Sequence, residues 1–179
     1  DETFADDGTT IHGNAGGAWT AFKSGGGEEL SAATLVDIRA NVVHATATAA
    51  QYADLAERYA TDTPVETGEV VSLGGNEEIT KCMDDKSDAV FGVVSDAPAY
   101  LMNSEAGNND THPAIALKGR VPVKVTGKGS AGDRIVSGSY GTARVAQPGE
   151  ATSFNTLGRL LKDKYNEETA LTECVVGVK

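Results

Sequence analysis

The 179 residues include 26 acidic and 15 basic side chains, 21 glycines and 5 prolines, and the formal net charge is −11. This length suits one domain with a substantial core, or one domain with a short appendage. No apolar run approaches the roughly 18 residues of a membrane-spanning helix, which excludes that class, and the acidic charge makes DNA or RNA binding a poor hypothesis because phosphates would be repelled.

The charge is unevenly distributed along the chain. Residues 1–110 carry 20 acids and 5 bases, whereas residues 111–179 carry 6 acids and 10 bases. The two regions could form complementary faces of one surface. Alternatively, acidic and basic faces could meet between subunits, where charge complementarity fixes the register of an interface.

Residues 1–44 are poor in large apolar side chains and rich in glycine. Glycine-rich runs at 13–17 and 25–27 separate short apolar stretches near 19–22 and 35–43, and the second stretch is β-branched enough to predict a strand. A segment with so little apolar area cannot offset its ordering entropy alone. The sequence therefore predicts an extended arm whose order depends on an oligomer.

The composition changes at residue 45. Residues 45–60 are rich in Ala, Gln, Leu, Glu and Arg. Four apolar side chains recur at helical spacing: Tyr52, Leu55, Ala56 and Tyr59. The pattern predicts a short helix or linker over 45–62, with Thr46 or Thr48 as N-cap and an ion pair from Asp54 to Arg58. The same residues could instead run extended along a neighbour.

The apolar stripe of this segment predicts a buried face. Tyr52, Leu55 and Tyr59 are expected to pack against a partner or against the following domain rather than face water. If Leu55 is buried, Leu55→Ala would cost about 2–5 kcal/mol.

Residues 63–179 show short β-branched runs separated by Gly, Asn, Asp and Pro, which is typical of an antiparallel β-sandwich or small barrel. The turn signals lie at 74–76, 127–132 and 138–141, and the polar segment 103–112 is the expected exposed tip. Nine strands are predicted, at residues 68–73, 78–82, 90–95, 114–117, 121–126, 133–136, 142–146, 157–161 and 171–178.

The two cysteines, Cys82 and Cys174, lie far apart and lack the paired spacing of a zinc site. Their pattern favours two buried thiols, and a single disulfide bridge between them stays open. The histidines His12, His44 and His112 have no second ligand at metal spacing, which favours surface or interface positions.

Two polar clusters offer oxygen ligands for calcium: Asp84, Asp85 and Asp88, and the run 108–110. Neither fits the twelve-residue calcium loop, so both are interpreted as solvated turns. The glycine-rich stretch 127–133 lacks the Gly-Lys-Ser/Thr of a phosphate loop and is predicted to be a hairpin turn.

Hydroxyl nucleophiles are weakly indicated. Ser95, Ser137 and Ser139 lack the Gly-x-Ser-x-Gly elbow of hydrolases, and no histidine lies near them in sequence. We therefore assign no catalytic residue, no cofactor-binding residue and no metal ligand. The sequence predicts a protein that is not an enzyme and uses no cofactor, with self-cleavage the one activity left open.

An ordered series of phrases carries a family resemblance over roughly residues 50–160. The phrases are QYADLAERY at 51–59, PVETGEVVSLGG at 64–75, VFGVVS at 90–95 with PAY at 98–100, ALKGRVPVKV at 116–125 and GD at 132–133. This order resembles the C-terminal β domain of tailed-phage fibre and appendage proteins, especially those of marine T4-like and cyanobacterial phages. It is also similar to the self-cleaving chaperone domain at the end of some phage neck appendages.

The resemblance implies a virion surface protein, commonly a homotrimer, whose β domain caps or decorates a tail or neck fibre. Its implied partners are identical subunits, other virion proteins and a host surface, with neither nucleic acid nor membrane. The relatives' catalytic residues match no position of this sequence, so none is transferred.

Three alternatives remain beside the fibre hypothesis. A capsid head-decoration protein would stand on the shell and bind it through the arm. An intramolecular protease or chaperone domain would trim its own fibre precursor. A host-glycan-binding module would use the exposed 103–112 loop, although aromatic residues are only 6% of the chain.

Overall fold

The computed structural model describes residues 9–13, 19–24, 28–29 and 53–178. The chain divides into two units, residues 1–46 and residues 47–179. In the first unit, β1 (Thr9–Gly13), β2 (Trp19–Ser24) and β3 (Glu28–Glu29) form an antiparallel sheet in that order. The predicted strand at 35–43 and the helix start at 45–52, with Thr46, Thr48, Tyr52 and His44, lie outside the described residues.

The described part of the second unit contains ten strands and no helix. In chain order they are β4 (Ala53–Arg58), β5 (Val70–Leu73), β6 (Ile79–Lys81), β7 (Val90–Val94), β8 (Tyr100–Met102), β9 (Ala114–Thr126), β10 (Arg134–Ser137), β11 (Ala143–Val145), β12 (Thr156–Leu160) and β13 (Ala170–Val176). In the part of the chain that the structure describes, no helix is long and apolar enough to cross a bilayer.

Five strands close into a barrel. The order around it is β9-β13-β12-β10-β11, and β11 returns to β9 through a parallel pairing of Ala143 with Val125 and Arg144 with Thr126. Period-2 alternation places every second side chain of each strand inside. In β9, for example, Val121, Val123 and Val125 are all buried. Of the two predicted architectures, the structure is the barrel.

The remaining strands extend β9 into a second, open sheet. The first half of β9 lies between β7 and β4, which gives the order β6-β5-β7-β9-β4-β8. Because β9 belongs to both parts, the barrel and the open sheet share one apolar core. Arg120 of β9 is paired on both sides, with Ala53 at the start of β4 and with Val175 near the end of β13.

All nine predicted strands overlap observed strands, and two of the predicted strands are parts of a single observed strand. The predictions at 114–117 and 121–126 join through residues 118–120 into β9. Gly119 permits this continuity because its φ of +114° lies in a region that residues with a Cβ avoid. The prediction of a wholly antiparallel domain was wrong at two pairings, β11 with β9 and β4 with β8, which are parallel.

The predicted helix is wrong where the structure describes it, since residues 53–58 form β4. Asp54 and Ala56 are buried and Leu55 is 37% exposed, which is the alternation of a strand. Asp54 and Arg58 form no ion pair, because residues four apart in a strand lie about 13 Å apart. Arg58 Nη1 donates to the Asn109 side chain and to the His112 carbonyl.

The predicted buried face of this segment is confirmed for Tyr59 only. Its ring packs edge-on against Phe91, with ring centroids 5.1 Å apart, next to the cluster of Val71, Ile79 and Ile115. Leu55 is not buried by its own domain, so the cost expected for Leu55→Ala does not apply to the single chain. Its packing against a partner stays a prediction.

Candidate functional site

A groove of about 920 Å³ crosses the junction between the barrel and the open sheet. Its walls come from four places distant in sequence: β4, the loop after β7, the middle of β9, and β13 with the loop before it. The residues on which its chemistry depends are Asp54, Ser95, Asp96, Arg120, Pro122, Lys162, Asp163, Lys164, Tyr165, Leu171 and Glu173.

Asp54 is the buried carboxylate of the groove. It is 5% exposed, and its Oδ2 has no hydrogen-bond partner. The strand itself is fixed, since Asp54 pairs with Gly119 of β9 and its carbonyl accepts from the Ala99 N–H at 3.0 Å. Because Gly119 has no side chain, the residue directly opposite Asp54 can neither cover nor neutralise the carboxylate.

The cations of the groove are already engaged. Arg120 Nη1 lies 2.5 Å and Lys162 Nζ 2.6 Å from the two carboxylate oxygens of Glu173. Hydrogen bonds from Lys162 and then Arg120 hold the pKa of Glu173 below its usual value. Both cations of this trio are held by one carboxylate, so the trio has a net formal charge of +1 but neither cation is without a partner.

Lys164 is buried, at 6% exposure, and acts as a structural donor. Its Nζ donates to the Asn166 carbonyl at 2.8 Å, the Asn166 side-chain oxygen at 2.6 Å and the Glu168 carbonyl at 2.6 Å. All three ammonium hydrogens thus have acceptors in the loop between β12 and β13. These hydrogen bonds fix the shape of the loop, which forms one wall of the groove.

Two further side chains of the same loop, Asp163 and Tyr165, are hydrogen-bonded to each other. The Tyr165 hydroxyl donates to Asp163 Oδ2 at 2.9 Å, and Asp163 Oδ1 accepts from the Ala131 N–H at 2.8 Å. The Ala131 N–H and then the Tyr165 hydroxyl lower the pKa of Asp163, and the same contact raises the pKa of Tyr165. The exposed Tyr165 ring and Leu171, with Pro122, give the groove an apolar wall.

The serines singled out from sequence have different positions. Ser95 is buried and lines the groove, and no histidine is among the described residues that line it. Ser137 is fully buried in β10, where its Oγ donates to the Asp84 carbonyl at 3.0 Å and accepts from the Ser87 N–H at 2.8 Å. Ser137 is thus engaged in holding the loop after β6.

The acidic cluster at 84–88 also anchors this loop. Asp85 receives two hydrogen bonds from the Arg144 guanidinium, at 2.6 and 2.8 Å, and Arg144 also contacts Glu150 at 2.7 Å. The Arg144 contact, with lesser contributions, lowers the pKa of Asp85, and that of Glu150 falls to about 2. In the described residues, no group of three or more His, Cys, Asp or Glu side chains is placed to hold a metal ion.

The 103–112 loop is exposed, as the sequence predicts. The Asn108 side chain accepts from the N–H groups of Asp110 and Thr111, and Arg58 ties the loop to β4 through Asn109. The one described side chain among the three histidines, His112, lies half-buried with Nδ1 3.0 Å from Thr111 Oγ1. The conformation of this exposed loop is therefore held by its own hydrogen bonds and by Arg58.

The glycine-rich stretch 127–133 is a turn but not a hairpin. It joins β9 to β10, which are not hydrogen-bonded neighbours, because β11 lies between them in the barrel. The Ser130 N–H donates to the Asp133 carboxylate at 2.8 Å, and Gly132 has a φ of +95°. The hairpin prediction failed because local turn signals do not reveal which strands pair.

Cys82 and Cys174 are free thiols, 1% and 0% exposed. Burial raises the pKa of Cys174 to about 12, which removes nearly all thiolate at neutral pH. The buried-thiol interpretation is confirmed, and the disulfide left open by the sequence is not formed.

Sequence reasoning missed Asp54, Lys164 and Glu173 as members of one site. Asp54 alone carried a local signal, as an acid on the buried side of an alternating segment, and the helical interpretation concealed it. No protein-family model matches this sequence, and no curated protein is similar to it.

Proposed function

We propose that this chain is a structural protein of a tailed-phage particle, a component of a trimeric tail or neck fibre or appendage. The support comes from the phrases that resemble fibre and appendage domains and from the position that these phrases have in the fold. The proposed location is the surface of the virion.

The single observation that carries the proposal is that the resembling phrases lie side by side. The phrases at 51–59, 64–75 and 90–95 contain β4, β5 and β7, and the phrase at 116–125 lies within β9. These four strands are consecutive in the order β5-β7-β9-β4. They are far apart in the chain but adjacent in one sheet. A resemblance that extends to a folded unit would be distributed in this way.

The outer edge of that sheet supports assembly with identical subunits. Leu55 of β4 and Tyr100 of β8 are register partners, 37% and 65% exposed. β8 pairs only with β4 among the strands of residues 53–178, so its other edge presents unpaired N–H and C=O groups. Exposed apolar side chains next to an unpaired strand edge are typical of a subunit interface.

The solution mass of the full chain tests the assembly. We expect about three times 18.5 kDa at micromolar concentration, and Leu55→Glu combined with Tyr100→Ser should shift the mass toward the monomer. Phe154→Ser is the matched control, because Phe154 is 69% exposed but lies outside β4 and β8. A monomeric wild-type chain with a folded arm would refute the trimer.

Two measurements separate the alternatives. The copy number per purified particle distinguishes a fibre component, present in few copies, from a head-decoration protein, whose number follows the capsid lattice. Mass analysis of both ends after expression of the full gene product distinguishes a chain that cuts itself from one that does not. Absence of the protein from purified particles would reject the whole proposal.

A further inference from the structure

The groove contains carboxylates without counter-charges. Of its three cations, Arg120 and Lys162 are paired with Glu173, and Lys164 is saturated by loop acceptors. Of its four acids, only Glu173 has an ion-pair partner among the described residues; Asp163 accepts hydrogen bonds from the Ala131 N–H and the Tyr165 hydroxyl, and Oδ2 of Asp54 has no partner. With four acids and three cations, the formal charge of the groove is −1.

Asp54 makes this imbalance significant. A carboxylate that is 95% removed from solvent and lacks a partner at Oδ2 is costly to keep charged. The negative charge is delocalised over both carboxylate oxygens, so a cation that binds Asp54 from the groove would neutralise the whole carboxylate. Its register partner, Gly119, contributes no side chain that could cover or neutralise it.

The walls indicate what kind of cation fits. A volume of about 920 Å³ is at the upper end of organic-ligand sites, roughly 300–1,000 Å³, and far exceeds what a bare metal ion needs. Pro122, Leu171 and the Tyr165 ring offer apolar contact to an aliphatic stem. This volume leaves room for more than one side chain, as a peptide segment requires.

We propose that this groove binds a peptide segment of another protein through a lysine or arginine side chain, whose cationic end pairs with Asp54. The stem of that side chain lies along Pro122 and Leu171, and Asp96 adds long-range attraction at the rim. The site shares β4 with the proposed subunit interface, but neither Leu55 nor Tyr100 lines the groove, so this inference does not depend on the trimer.

The test uses the full chain and short blocked peptides. Acetyl-Gly-Arg-Gly-amide and acetyl-Gly-Lys-Gly-amide are titrated while the backbone amide resonances are followed by NMR. We expect saturable shifts at Ser95, Leu171 and Thr172, which surround the groove. The neutral citrulline and norleucine peptides should bind at least about tenfold more weakly, because each lacks the charge.

The variants assign the effect to Asp54. Asp54→Asn keeps the shape and should weaken Arg-peptide binding at least about tenfold. Its melting temperature without peptide should equal or exceed that of the wild type, because an uncompensated buried charge is removed. Asp88→Asn removes the same charge from an exposed residue outside the groove and should bind as the wild type does.

Four outcomes would overturn the proposal. They are equal binding of the citrulline peptide, unchanged binding by Asp54→Asn, saturation of the same amides by calcium chloride at lower concentration than by peptide, and no shift at all. The mass of each sample is measured in the same experiment, so that the two proposals are tested separately. A trimer that does not bind the peptides would refute the groove proposal and leave the trimer proposal standing.

Discussion

Glu69 shows how one side chain ties the open sheet to the barrel. It is 6% exposed, immediately before β5, and its carboxylate lies 2.9 Å from Lys81 Nζ and 3.3 Å from Lys124 Nζ. The Glu66 N–H donates to it at 2.9 Å. Burial alone would raise the pKa of Glu69, but the hydrogen bonds from Lys81, the Glu66 N–H and Lys124 outweigh it and lower the pKa.

This lowered pKa predicts an acid-dependent loss of stability. The stabilisation by Glu69 is fully present above the unfolded pKa, near 4.5, and is lost as the pH falls through the lower folded value. Glu69→Gln should therefore reduce the free energy of unfolding by about 1–3 kcal/mol at pH 7, and by much less at pH 2. Urea unfolding at both pH values measures the difference.

The control for this change is Glu77→Gln, an exposed carboxylate in the β5–β6 turn. It should leave the free energy of unfolding within about 0.5 kcal/mol of the wild type at both pH values. A Glu69→Gln deficit that is the same at pH 2 as at pH 7 would show that the loss is one of packing rather than charge.

The β4 segment shows where sequence reasoning reached its limit for a secondary-structure element. Its Ala, Leu, Glu and Arg residues favour a helix, and helical and extended spacing both place apolar residues on one side. Pairing with β9 and β8 decided the outcome, and both partners lie more than 40 residues away. Local propensity carries no information about such contacts.

The β domain was predictable to the extent that its turns are local. The glycine pairs at 74–75 and 138–141 adopt the turns that their residues favour, and they close the β5–β6 and β10–β11 hairpins. The groove was not predictable, because Asp54, Arg120 and Glu173 come together only when β4 and β13 pair with β9. Its residues occupy three strands and two loops that no sequence window contains.

Close packing of β12 against β13 gives a prediction for the barrel wall. A Cβ on Gly158 would overlap the Val175 carbonyl oxygen and the Val176 Cα, both backbone atoms that cannot rotate away. Gly158→Ala should therefore force the two strands apart and cost about 1–3 kcal/mol or more in the free energy of unfolding. Thermal and urea unfolding measure that cost.

Gly132→Ala is the comparison for this prediction. A Cβ there would meet nothing within 4 Å, so only the strain of its φ of +95° remains. The expected loss is about 1 kcal/mol. If Gly158→Ala lowers the free energy of unfolding no more than Gly132→Ala does, β12 and β13 can move apart to accommodate the Cβ, and the prediction is wrong.

Residues 53–178 should open as one cooperative unit, because the same apolar cluster contains residues of the barrel and of the open sheet. Cys82 follows β6 in the open sheet and Cys174 lies in the barrel, yet both belong to the same apolar cluster. The ratio of native to denatured alkylation rate with iodoacetamide should therefore be the same for the two thiols. Both native rates should be at least about a thousandfold below those in denaturant.

Mass analysis of proteolytic peptides assigns the labelled cysteine, and Cys82→Ala and Cys174→Ala report each thiol alone. Much faster labelling of Cys82 than of Cys174 under native conditions would mean that the open sheet detaches while the barrel stays closed. The comparison uses the ratio of native to denatured rate for each thiol, because this ratio removes the intrinsic difference in reactivity between the two exposed cysteines.

The double pairing of Arg120 has a topological consequence. With Ala53 on one side of it and Val175 on the other, the first and last strands of residues 53–178 run parallel, two strand spacings apart, about 10 Å. The beginning of one faces the end of the other. Such a unit can be carried as an insertion within a host polypeptide, or circularly permuted through a short linker, without bending either strand.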